Sequence, residues 1–311
     1  MQPFFSYMMT AFTQVLILAM LVCVGFFSDK VKLFTEKTAR ACNDLLFYII
    51  TPSVIINSFL NVEFNAQNGK GFLTAVAIAI GFHGIVALLL PLLFRKTGED
   101  QAIFRFATMY GNVGYMGLPL AQAIAGDIGV FYCSAVVAIF NFFSFTHGIQ
   151  VMKKTDEKLN LKKLLINPGT IGIAVGLPLF LLKVQLPAVL AAPVQYIGSL
   201  NTPMAMLMFG TYLANTDLLE MFRRKENYSV AMLKLLVLPL SAIGILWLLG
   251  VRGPLLLASA VFTAAPTANN TVMFSAKYGR DTGVASKVCG FTSILAILTM
   301  PICIALANYL G

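Results

Sequence analysis

The chain is a succession of nearly charge-free apolar stretches of about twenty residues, and a bilayer is the one medium in which such a series folds stably. Ten stretches are readable, over residues 4–27, 41–60, 71–94, 104–125, 128–152, 165–182, 188–214, 229–250, 255–276 and 283–309. Hydrocarbon offers the backbone no water, so each stretch must satisfy its own N–H and C=O groups, which predicts helices. Only 11% of the 311 residues are charged, against about 25% in soluble domains. The expected fold is therefore an all-α integral membrane protein with ten transmembrane helices. Ten crossings consume most of the chain and leave no room for a separate soluble domain.

The charges that remain are distributed by loop. The first, third, fifth, seventh and ninth connections carry 17 Lys and Arg residues, counting Arg105 at the very start of the fourth stretch, whereas the even connections carry 3. By the positive-inside rule the odd loops are cytoplasmic and both termini lie on the outer side. Lys234 and Lys287 lie just inside cytoplasmic helix ends, where a long side chain can snorkel to the interface. The net charge of +9 is thus a topology signal, and nucleic acid is not an expected partner. No basic segment or cleavage site marks the first stretch as a signal peptide, so it reads as a retained helix.

Catalytic and metal-binding classes find no support. The five cysteines, Cys23, Cys42, Cys133, Cys289 and Cys303, are scattered without CxxC spacing and read as small packing residues. There is no HExxH, no GxSxG and no pair of membrane aspartates. The expectation is a protein that is no enzyme, with neither cofactor nor metal.

An internal repeat narrows the class. Val24-Gly25 is matched by Val175-Gly176 and Thr51-Pro52 by Thr202-Pro203, both 151 residues on, and Asp127-x-Gly129-Val130 by Asp281-x-Gly283-Val284, 154 residues on. Five helices per copy is an odd number of crossings, so the second copy enters from the opposite side. The chain then divides into a first repeat at 1–152, a cytoplasmic linker at 153–164 and a second, inverted repeat at 165–311. Inverted repeats are the mark of alternating-access carriers, whose site lies at mid-membrane between the copies.

Both copies carry a break. MYGNVGYMGLP, 109–119, gathers three glycines and a proline around Asn112, and the equivalent TAAPTANNTVM, 263–273, has Pro266 in the place of Asn112. Proline removes a helix hydrogen bond and glycine weakens the helix, so both segments should be interrupted. An interrupted helix presents free N–H groups and a positive dipole end, which favour a carboxylate. Asn112, Tyr115, Pro266, Thr267, Asn269 and Asn270 are the candidate substrate-binding residues, with Asn141 of the fifth stretch and Thr271 beside them. All thirteen acidic residues fall in loops or at helix ends, which argues against a cation exchanger built on buried aspartates. His83 is a candidate for proton coupling, with a packed neutral ring as the other reading. Lys234 reads first as a snorkelling side chain and second as an attractor of anions. The hydroxyls of the two Thr-Pro pairs are expected to bond carbonyls freed at kinks.

These residues carry a family resemblance over essentially the whole chain. GNVGYMGLPL at 111–120, AAPTANN at 264–270 and MFSAKYGRDTGVAS at 273–286 resemble the auxin efflux carrier family of plant PIN-type exporters and bacterial malate or malonate permeases. The resemblance implies crossed, broken helices four and nine, a scaffold of helices 1, 2, 6 and 7, a transport domain of helices 3–5 and 8–10, and elevator-type movement. It implies a substrate carboxylate at Asn112 and the Pro266 region, residence in a bacterial inner membrane, and a homodimer joined through the scaffold. Asn141 stands where the plant exporters carry a tyrosine, and the long plant loop between helices five and six is here about eleven residues. The short prokaryotic form is the better match. Expected function is secondary transport of a small organic anion, a carboxylate or an auxin-like acid. The alternatives are a sodium-coupled organic-acid importer of the bile-acid type and a channel or receptor.

Overall fold

The computed structural model describes residues 2–94, 98, 100–153, 168–216 and 218–311, so most of the linker expected at 153–164 lies outside the described residues. In chain order the helices are α1 (Gln2–Lys30), α2 (Glu36–Leu45), α3 (Thr51–Asn61), α4 (Ala66–Leu93), α5 (Gln101–Met109), α6 (Leu118–Phe143), α7 (Ile149–Met152), α8 (Pro168–Leu181), α9 (Ala188–Ser199) and α10 (Asn201–Ala214). They continue with α11 (Leu218–Arg223), α12 (Lys225–Met232), α13 (Leu238–Leu248), α14 (Gly253–Ala264), α15 (Asn270–Lys277) and α16 (Thr282–Leu310). Among the described residues there is no strand beyond a single β-bridge.

Among the described residues, five helical runs are long and apolar enough to cross a membrane: Glu36–Asn61, Ala66–Leu93, Val113–Met152, Lys225–Leu248 and Thr282–Leu310. Their outward faces carry large apolar side chains such as Leu88, Leu248 and Leu298, all exposed. That is the surface of a protein solvated by lipid, because water-soluble monomers rarely leave wide apolar areas bare.

Prolines shape these helices in a regular way. π-Helical turns at Leu46–Ile50, Val113–Gly117 and Leu233–Val237 each run directly into a helix whose second residue is proline, namely Pro52, Pro119 and Pro239. A proline ring pushes away the carbonyl four residues back. The residue before each of these prolines donates five residues back instead, Thr51 to Leu46, Leu118 to Val113 and Leu238 to Leu233. Widening the helix by one residue is how the chain keeps its bonds beside the ring.

Helix α6 is not one rod. Gly126 has φ 61° and ψ −153°, outside the helical region, and only glycine takes that conformation without strain. A Cβ on Gly129 would lie 2.7 Å from the carbonyl oxygen of Ala121, eight residues back, which a straight helix would hold about 12 Å away. The chain folds back here, where the sequence separates its fourth and fifth stretches.

Packing is closest at glycine. Helix α1 lies along α10 and α3 along α8. A Cβ on Gly25 would meet the Leu207 carbonyl, and one on Gly210 the Val22 carbonyl. Gly172 and Gly176 of α8 seat Ile55 and Phe59 of α3. Small residues let membrane helices approach until dispersion forces hold them. Thr51 donates to Asn201 Oδ1 at 3.3 Å inside this region, and not to a freed carbonyl as the sequence suggests.

Candidate functional site

Two helix breaks meet at the centre of the molecule. Helix α5 stops at Met109 and the backbone becomes extended at Tyr110, with φ −94° and ψ 109°. Helix α14 stops at Ala264, and Ala265 is extended at φ −56° and ψ 135°. Gly111 and Thr267 then pair in an antiparallel bridge. The Asn112 N–H donates to the Pro266 carbonyl at 2.6 Å, and the Ala268 N–H to the Tyr110 carbonyl at 2.9 Å. The backbone groups that each break takes out of its helix are thus satisfied by the other break, as a buried main chain requires.

Past the bridge each chain re-enters a helix. Asn112 caps the first, its Oδ1 accepting the Tyr115 N–H at 3.3 Å. Asn269 precedes α15 and makes no side-chain cap bond. The N–H groups of Gly114, Asn269 and Asn270 find no hydrogen-bond partner among the described residues. Both re-entrant N-termini therefore present donors and the positive ends of helix dipoles.

These ends face one recess with about 460 Å³ of empty space, part of it open to the surroundings. Of the sequence candidates, Asn112, Tyr115, Asn141, Asn269 and Asn270 line it together, joined by Phe47, Thr51, Val137 and Phe140. No acidic side chain lines it among the described residues. Apolar walls with a few convergent amide and N–H donors suit a small anion carrying some hydrocarbon.

The remaining candidates stand elsewhere. Pro266 and Thr267 are fully buried behind the recess and build it. Thr267 donates its hydroxyl to the Ala107 carbonyl at 3.0 Å and its N–H to Thr292 Oγ1 at 3.2 Å. Thr271 is likewise buried outside the lining. Tyr115 donates its phenol proton to Asn43 Oδ1 at 2.9 Å, so its single donor is already engaged with α2. His83 is buried among rings: it bonds the Ala79 carbonyl through Nδ1 at 2.8 Å and stacks on Phe143 at 5.2 Å.

Lysine 234 departs from the snorkelling expectation. It is 1% exposed, and it points inward: a Cβ placed on Gly111 would lie 2.9 Å from its Nζ. Snorkelling needs a path to the interface, and the side chain instead packs over the Phe82 ring, Nζ 6.0 Å from the centroid. Lys287 has a nearby partner and pairs with Glu220. The signal for Lys234 was present in the sequence as a lone cation in an apolar stretch, but its direction along the helix was not.

Comparison with known proteins identifies related transporters. The sequence profile of the family described as "Membrane transport protein" matches residues 10–304. An uncharacterised transporter of Methanocaldococcus jannaschii is 24% identical over 298 residues, covering 92% of this chain and 95% of its own. A protein of Rhizobium meliloti named "Putative malonate transporter" is 22% identical over 291 residues, 90% of each chain. An uncharacterised transporter of Methanothermobacter thermautotrophicus is 22% identical over 303 residues, 93% of this chain and 95% of its own.

Proposed function

The chain belongs to the membrane transport protein family, that of the auxin efflux carriers in their short prokaryotic form, and from this we propose that it carries a small organic anion across the cell membrane by elevator-type alternating access. The family and its relatives are transporters, not enzymes. The observation that carries the anion reading is the recess itself, where two re-entrant N-termini and the amides of Asn112, Asn269 and Asn270 converge without an acidic neighbour. A malonate-like dicarboxylate fits that donor set, and the name of the Rhizobium meliloti relative points the same way.

Ten crossings in two inverted repeats account for several otherwise separate facts. Asn112 and Pro266, 154 residues apart, hydrogen-bond to each other. The pairing of α1 with α10 is mirrored by that of α3 with α8, as expected if helices one and six, and two and seven, exchange roles between copies. In this reading helices 1, 2, 6 and 7 are the scaffold and helices 3–5 and 8–10 the moving part. The loop charges favour termini on the outer side.

The test is stabilisation of the purified protein by malonate and malate, followed by flux in vesicles. Asn112→Ala should weaken binding by about tenfold or more, the expected cost of a hydrogen bond to a charged group. Unchanged binding in that variant overturns the site. A sodium requirement for flux would move the protein to the bile-acid type of importer, and single-channel currents would make it a channel.

A further inference from the structure

We infer that Lys234 is a built-in counter-charge for the transported anion, a tethered cation standing behind the recess. The inference rests on the anion reading above and adds the group that balances the charge.

Lys234 sits in the π-helical turn Leu233–Val237, and such turns inside a helix frequently mark functional positions because they redirect a side chain. Its Nζ rests against Gly111, and a Cβ at Gly111 would lie 2.9 Å from Nζ and 3.1 Å from the Ala265 carbonyl oxygen. Gly111 also lines the recess. The positive charge is thus separated from the recess by one residue's backbone, and a side chain at 111 would push it away.

The second strand is the absence of a partner. Among the described residues no carboxylate lies within ion-pair distance of Lys234, whereas Lys287 and Arg224 are paired. The aromatic ring of Phe82 is the favourable contact the side chain makes, and it is weak compensation for a buried charge. An anion in the recess would supply the missing one. Burial strengthens that attraction, because few solvent dipoles lie between the charges.

The position also matches the repeat. Lys234 stands 151 residues after His83, the spacing that relates Thr51-Pro52 to Thr202-Pro203. Phe82, beside His83, is the ring on which the ammonium rests. His83 and Lys234 thus both adjoin the Phe82 ring, and the lysine is the one that reaches Gly111.

The experiment is malonate and malate stabilisation of the purified full chain in sodium and in choline buffers, for wild type, Lys234→Met, Lys234→Arg, Gly111→Ala and Asn112→Ala. Lys234→Met should lose at least about tenfold in affinity, as when one partner of a buried charge pair is truncated. Lys234→Arg should stay within about threefold of wild type. Gly111→Ala should weaken binding, and the double variant with Lys234→Met should be no worse than Lys234→Met alone, because both act through one group. Choline in place of sodium should change nothing. If Lys234→Met binds as wild type while Asn112→Ala is weakened, the counter-charge is refuted and the recess stands. If sodium is required, a metal ion holds the role and the inference falls. Should Asn112→Ala bind as wild type, or neither acid stabilise the wild type, the reading of the recess fails and the inference with it. A Lys234→Met protein that melts without a folded baseline would be judged by Lys234→Arg and Gly111→Ala, whose retention and loss of affinity respectively are required.

Discussion

Two of the places where glycine brings backbone against backbone in this protein do opposite things. At the α1–α10 crossing, Gly25 and Gly210 let each helix press on a carbonyl of the other, and the polar side chains there are already engaged across it, Thr211 with the Gly25 and Phe34 carbonyls and Lys30 with the Ala214 carbonyl. At the crossover, Gly111 lets an extended segment pair with Thr267, and three N–H groups just beyond are left without a partner among the described residues. Close approach by itself makes an interface. A site needs close approach where the helices have also been stopped, so that donors face outward into space a ligand can fill.

Substitutions can break that contrast from either side. The largest effect is expected at the crossing: Gly210→Val should lower stability by about 3 kcal/mol, since the added atoms meet main chain that cannot step aside. The measurement is thermal melting in detergent, and a wild-type melting temperature would mean the helices are not in contact. The folded fraction should keep its malonate affinity. Next comes Asn270→Ala, which removes a recess donor and should cost about 1.5 kcal/mol of binding, roughly tenfold, with melting of the ligand-free protein unchanged. Calorimetric titration distinguishes this from a packing role, in which melting would fall and affinity hold. The smallest is Thr267→Val, which takes away the bond to the Ala107 carbonyl. It should cost about 1 kcal/mol of stability and leave affinity within error, because the residue lies behind the recess.

Much of this was written in residue order. The breaks at Asn112 and Pro266 follow from glycine and proline chemistry, and the repeat spacing is what pairs them in the proposed reading. That Asn112 and Pro266 would share a hydrogen bond needed the fold, because a repeat relates positions without saying which of them touch. The long apolar helices were legible because apolar runs stop where charges begin, but the division of the stretch at 188–214 into α9 and α10 was not. Side-chain direction was not. Lys234 and Lys287 look alike as single cations near helix ends, yet one pairs with Glu220 and the other turns inward over Phe82. The π-helical turn that aims Lys234 comes from Pro239, five residues on, and an apolar pattern does not reveal it. Thr267 has the composition of a ligand, but the bridge at Gly111 turns its hydroxyl to Ala107.

The link between the two breaks has a consequence for how such a protein can change over time. Its hydrogen bonds run from main chain to main chain, Asn112 to Pro266 and Ala268 to Tyr110, so they do not depend on which side chains stand around the recess. Asn141, Val137 and Phe140 project from a different segment and can be replaced without untying that knot. On the proposed reading of the recess, a lineage can therefore alter the size and polarity of its cargo by ordinary point substitutions while the main-chain frame stays as it is.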